Sequence, residues 1–160
     1  MEFFVHVEDL ELKNRQEFES LFQCCSRELS VPLVDIIPYF IYQIGNNAGV
    51  ISYDIYGSPI GYLLYNKQDN YYVNFTHCWV TPKARRNKVA TTMISKIIIK
   101  EQPYVMSAYV NDIFLSAQLL LKSLSFKCIK TIKRNDDFDK YYFVTKDDGR
   151  VNRFSNHVDG

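Results

Sequence analysis

The chain has 160 residues, a length that holds one domain with a real core, and its 47% hydrophobic content excludes disorder. Its formal net charge of +1 argues against a general nucleic-acid binder, which would carry a strong basic excess. No apolar run reaches membrane-spanning length, and the start Met1-Glu2-Phe3-Phe4-Val5 lacks the basic and long apolar stretches of a signal peptide.

In chain order, the short aromatic and β-branched segment Met1 to Val7 predicts a strand. Phe18, Leu21, Phe22 and Cys25 recur at helical spacing and predict a helix from about Asn14 to Arg27. Pro32 can open a second helix, with Val34, Ile37 and Ile41 on one face and a kink at Pro38. Gly45 to Gly49 is a turn cluster. Val50 to Tyr56 and Ile60 to Tyr65 then read as a hairpin around Gly57-Ser58-Pro59. Asn66 to Asn70 turns the chain into a longer strand, Tyr71 to Val80.

Val89, Met93, Ile94, Ile97 and Ile98 form one apolar helical face, ended by Pro103. Tyr104 to Val110 follows as a strand reached by a crossover, so it should run parallel to its neighbour. Asn111-Asp112 can cap a helix through Leu124. Phe126 to Lys133 and Phe138 to Thr145 are strands around the turn Arg134 to Asp137. Residues 1–146 form a single domain, and 147–160 form a polar tail.

Cys24, Cys25, Cys78 and Cys128 show neither CxxC nor His-Cys metal spacing, and His6, His77 and His157 are isolated from acidic clusters. No metal is expected, and reduced thiols suit a cytoplasmic protein. No nucleophile elbow or Walker loop is present.

Val80-Thr81-Pro82-Lys83-Ala84-Arg85-Arg86-Asn87-Lys88-Val89-Ala90-Thr91 carries the most information. A strand ends in a basic loop and the chain restarts as a helix. Free amides of a first helical turn and the positive end of its dipole attract an anion, and arginines add charge-assisted bonds. The stretch resembles the acyl-coenzyme A pyrophosphate loop of the GNAT N-acyltransferase superfamily. There, a strand ending in Val-x-Pro precedes Arg/Gln-x-x-Gly-x-Gly/Ala. Arg85 and Ala90 fit its first and last anchors, whereas Lys88 replaces the middle glycine. Asn111, then Ser116-Ala117 and Leu120-Leu121 through Phe126, resembles a second family pattern, with Leu121 for tyrosine and Ser125 for glycine. The order of predicted elements matches as well.

The resemblance implies an α+β (α/β) fold, a mixed central sheet of about seven strands flanked by about four helices. It implies transfer of an acetyl group from acetyl-CoA to a primary amine of a small molecule or protein. It also implies a bulge that splays the strand ending at Val80 from the strand Tyr104 to Val110. Backbone groups of Cys78, Trp79 and Val80 would pair with the pantetheine arm. Arg85, Arg86, Asn87, Lys88, Val89, Ala90 and Thr91 would hold the pyrophosphate, and Asn111 and Ser116 would touch the cofactor arm.

No acidic base stands on the Tyr71 to Val80 strand. Its alternation puts Cys78, Thr76 and Asn74 on one face, and His77, Trp79 and Phe75 on the other. His77 is the one neutral-pH titratable group nearby, readable as a general base or as a structural histidine. Tyr53, Tyr62, Tyr65, Tyr71 and Tyr72 read as core, with some free to line an acceptor pocket. Lys88, Leu121 and the missing acid leave a second reading open, a catalytically inactive GNAT-fold binding or structural protein. A homodimer or a protein partner is compatible with either.

Overall fold

The computed structural model describes residues 5–30, 46–69, 71–111, 115–133 and 139–145. The second predicted helix, the Arg134 to Asp137 turn and the polar tail fall outside these residues. Seven strands make one sheet: β1 (His6–Asp9), β2 (Asn47–Tyr53), β3 (Pro59–Gln68), β4 (Tyr72–Val80), β5 (Val105–Asn111), β6 (Lys127–Lys133) and β7 (Asp139–Val144). Three α-helices are described, α1 (Arg15–Leu29), α2 (Val89–Glu101) and α3 (Leu115–Ser123). The strand order is β1-β2-β3-β4-β5-β7-β6. All neighbours are antiparallel except β4 and β5, which run parallel as the crossover through α2 requires.

The two faces of the sheet are read from alternation along β3. Leu63 and Tyr65 join α2 (Val89, Met93, Ile94, Ile97) and α3 (Leu121) in one core. Tyr62 and Leu64 point the other way, into a second core with Phe18, Leu21 and Cys25 of α1. Burying each such side chain contributes roughly 2 kcal/mol. The predicted apolar face of α2 holds except at Ile98, which is exposed.

Several predicted boundaries move. The expected turn Gly45 to Gly49 instead supplies the start of β2 from Asn47, because a strand partner is available: Asn47 to Gly49 pair with Asn66 to Leu64. The expected strand Val50 to Tyr56 ends at Tyr53, because the Asp54 carboxylate accepts the Tyr56 and Ser58 amides and winds the chain into a turn. The turn expected from Asn66 starts late, since β3 runs to Gln68. Asn111 is the last residue of β5 rather than a helix cap, and α3 begins at Leu115.

The C-terminal end of α2 is tied to the sheet by a half-hidden ionic group. Glu101 accepts the Tyr65 hydroxyl at 2.7 Å and the Lys67 ammonium at 3.3 Å. Its side chain is only 11% exposed. Glu101→Ala would strand a buried phenol and a largely covered cation. It should cost about 3 kcal/mol of unfolding free energy. Chemical denaturation should show a lower midpoint at unchanged slope, and an unshifted midpoint would show the group to be idle.

Candidate active site

Strands β3 and β4 pair regularly from both ends, but Leu64 lies opposite His77 while Tyr65 lies opposite Phe75. Thr76 is therefore an extra residue, a bulge in β4. At the same place β4 leaves β5: their parallel pairing covers Tyr72 to Phe75 against Val105 to Ala108. Beyond Ala108, β5 goes on with β7 alone, from Tyr109 to Asn111. His77 to Val80 thus pair on the β3 side only, with Thr76 matched in neither register, and the strand fork implied by the resemblance is present.

The bulge corrects the sequence-based parity. Phe75 faces the α2 core, whereas Trp79, on the same nominal parity, faces α1. His77 goes with Trp79 toward α1, and its ring packs against Phe22 and Tyr62 at centroid distances of 6.3 and 5.3 Å.

Past the fork, Pro82–Ala84 form a short 3-10 turn and the chain enters α2 through an irregular loop. Arg86 and Lys88 both take left-handed backbone angles, φ 67° and φ 60°. Lys88 thus holds a conformation that a glycine, the residue the family pattern places here, adopts without strain. The first helical bond of α2 runs from the Thr92 amide to the Lys88 carbonyl at 2.9 Å. The amides of Val89, Ala90 and Thr91 lie ahead of that ladder, and no side chain caps the helix.

The two arginines behave differently. The Arg85 guanidinium turns back onto β4, donating to the Val80 carbonyl at 2.9 Å and to Glu28 at 2.6 Å. It also lies 5.9 Å from the Trp79 ring centre. Arg86 and Lys88 are exposed beside the helix start, and Asn87 donates to the Ala84 and Arg85 carbonyls, bracing the loop. Ser116 is exposed on the first turn of α3. Leu121 is buried in the core that it shares with α2.

Around His77 the structure assembles residues that sequence reasoning left in the core. The Tyr62 hydroxyl meets His77 Nε2 at 2.7 Å, and the Cys25 Sγ lies 3.7 Å from the same nitrogen. Tyr62 and Cys25 are fully buried. Burial pulls the His77 imidazole down to about 4 and pushes the Tyr62 phenol and Cys25 thiol up. Helical periodicity points Cys25 inward, but nothing in the sequence links it to a histidine 52 residues away. Further along the same face, Trp79 Nε1 is buried with no hydrogen-bond partner.

Among the described residues, no group of three or more His, Cys, Asp or Glu side chains could hold a metal, and no helix is long and apolar enough to cross a membrane. The fold is shared with solved acetyltransferases. A probable acetyltransferase from Staphylococcus epidermidis is similar at a TM-score of 0.70 and 11% identity, over 88% of this chain and 98% of that one. Arabidopsis thaliana NAA60, solved in complex with acetyl-CoA, matches at a TM-score of 0.64 and 14% identity, over 88% and 97% of the two chains. Nourseothricin acetyltransferase matches at 0.55 and 12% identity, with this chain spanning 64% of its length. No protein-family model matches the sequence, and no curated protein matches it at the sequence level. The chain has the fold of the GNAT acetyltransferases, a mixed seven-stranded α+β sheet.

The half-buried histidine has a consequence for acid stability. Its folded-state pKa of about 4 lies below the ordinary 6.5, so protons bind the unfolded chain better. The His77 contribution is whole above pH 6.5 and is lost as pH falls from 6.5 to about 4. That loss amounts to at most about 3 kcal/mol. In His77→Gln, unfolding free energy should fall less over this window, and parallel acid limbs in the two proteins would contradict the burial.

Proposed function

We propose that this protein transfers an acetyl group from acetyl-CoA to a primary amine of a small molecule or a protein. The observation that carries the reading is the unpaired edge of β4 from Thr76 to Val80, opening beside the uncapped start of α2. Backbone groups of Cys78, Trp79 and Val80 offer a strand edge to an extended pantetheine arm. The amides of Val89, Ala90 and Thr91, with the exposed cations of Arg86 and Lys88, receive the pyrophosphate. Arg85 and Asn87 hold that loop in place from behind, and Asn111 and Ser116 border the arm from β5 and α3. His77, the first residue past the bulge, is the catalytic side chain.

The amine attacks the thioester carbonyl directly, within a complex of both substrates. Its proton leaves through water, and the coenzyme A thiolate is reprotonated from water as the C–S bond breaks, because Leu121 has no proton to give. The four free cysteines fit a cytoplasmic setting. A second reading, an inactive GNAT-fold binding protein, is favoured by the core placement of Leu121. Calorimetry followed by thiol release separates the two: binding with turnover supports the enzyme, and binding alone supports the rival.

The division of labour between the arginines is testable. Arg86→Ala should weaken acetyl-CoA binding about tenfold or more by calorimetry. Arg85→Ala should act through the folding of the β4 end and move the melting temperature as well. Equal affinity of Arg86→Ala and wild type would move the pyrophosphate elsewhere.

Lys88→Gly should split two measurements. Relief of the left-handed lysine should raise the stability of the free protein by about 1 kcal/mol. Loss of the ammonium should lower acetyl-CoA affinity several-fold, since the backbone already follows the glycine path. A rise in affinity would show that the side chain obstructs the phosphates.

A further inference from the structure

We propose that His77 acts as a neutral hydrogen-bond donor to the thioester carbonyl oxygen, held in its Nδ1–H tautomer by the Tyr62 hydroxyl and the Cys25 thiol. The inference rests on the acyl-transfer reading and assigns His77 a role within it that is not that of a base.

Three heavy atoms meet at the buried end of the ring: His77 Nε2, Tyr62 Oη and Cys25 Sγ. Two proton arrangements can satisfy them. In one, Nε2–H donates to the phenol oxygen, and the phenol proton has only sulfur to receive it. Sulfur is a weak acceptor. In the other, the phenol donates to the bare Nε2 lone pair, and the thiol donates to the phenol oxygen. Every proton then reaches a good acceptor, and no strong donor is wasted on sulfur. The second arrangement leaves the ring proton on Nδ1.

Nδ1 is the nitrogen on the β4 side of the ring, bonded to the carbon that carries the side chain. Among the described residues it has no hydrogen-bond partner. His77 directly follows the bulge at Thr76, where β4 leaves β5 and its edge opens. The titratable groups around the ring are Tyr62 from β3 and Cys25 from α1, with Cys78 next along β4 and Cys24 and the Glu28–Arg85 pair beyond them. None offers Nδ1 a carboxylate partner. Burial keeps the imidazole uncharged at neutral pH, so it donates without having to shed or gain a proton.

The chemistry closes. The amine nitrogen forms a bond to the carbonyl carbon, and the oxygen takes the electron pair and is met by Nδ1–H. Collapse restores C=O, breaks C–S and releases the thiolate, which takes a proton from water, while the amine proton passes to water. His77 ends as it began. Tyr62 and Cys25 are positioning residues, acting through the ring.

Two measurements on the full chain test this. Two-bond proton–nitrogen spectra of the His77 ring should show Nδ1 protonated and Nε2 bare at neutral pH. Tyr62→Phe should move the ring toward the Nε2–H form. A wild-type ring with Nε2 protonated and Nδ1 bare would overturn the proposal.

The second measurement is coenzyme A thiol release from acetyl-CoA with hydroxylamine, an acceptor already unprotonated at neutral pH that needs no base. His77→Ala should lose roughly a hundredfold in rate, as loss of one oxyanion donor does, and His77→Gln, whose amide still donates, should recover most of it. An unchanged rate in His77→Ala, or a Gln variant as slow as Ala, sinks the donor role. A wild-type chain that binds acetyl-CoA but releases no thiol defeats the acyl-transfer reading itself, and the spectra still decide the tautomer.

Discussion

One inserted residue governs the geometry of this molecule. Up to Phe75, β4 is paired on both sides, with β3 and with β5. Thr76 adds a residue that β3 does not match, and from there β4 keeps only one partner. The strand must bend, its unpaired edge faces a gap, and the side chains beyond change faces. A regular β4 would send His77 into the α2 core beside Phe75 and would close the gap with β5. The bulge therefore sets the opening, the orientation of His77 and Trp79, and the direction from which the chain enters the loop before α2.

The two cores explain why the fork stays open. The α2 core grips β4 through Val73 and Phe75, while α1 grips it through Trp79. The strand is thus held from opposite faces on either side of the bulge. Straightening it would pull a large aromatic out of one core or the other, a cost of several kcal/mol each. Arg85 adds a clamp at the far end, bonded to the Val80 carbonyl and to Glu28 on α1. A side chain that the sequence pattern assigns to the ligand is in this way spent on holding the strand end against the helix.

The order of elements was legible because it rests on periodicity: Phe18, Leu21 and Cys25 at helical spacing, and Val89, Met93, Ile94 and Ile97 likewise, are all buried. Boundaries were less so, for local reasons. Gly49 reads as a turn residue, yet β2 passes through it beneath Leu64 and Leu10, where a Cβ would come within 2.9 Å of Leu64. Ile55 and Tyr56 read as strand, but the Asp54 carboxylate captures the amides that a ladder would need. The parity of β4 was misread at Phe75, since no residue type marks a bulge at a threonine. The site was legible where it consists of a loop between a strand and a helix. It was not legible where it depends on Tyr62 and Cys25 meeting His77, because those contacts join β3, α1 and β4 and exist only after the sheet has folded.

Most of the proposed grip on the cofactor is main chain: a strand edge, a helix start and a loop in left-handed conformations. Main-chain groups survive almost any change of side chain, provided the bulge, the crossover and the helix entry persist. Lys88 illustrates this, since a lysine here keeps the left-handed angle that suits a glycine, at a strain of about 1 kcal/mol. The same logic accounts for a shared fold at 11 to 14% identity without any match at the level of sequence. Selection on such a site acts on backbone path, to which sequence comparison is nearly blind. Side-chain specificity is concentrated instead where His77 meets Tyr62 and Cys25. Tyr62 and Cys25 are buried, His77 is half-buried, and the three meet directly after the bulge where the fork begins.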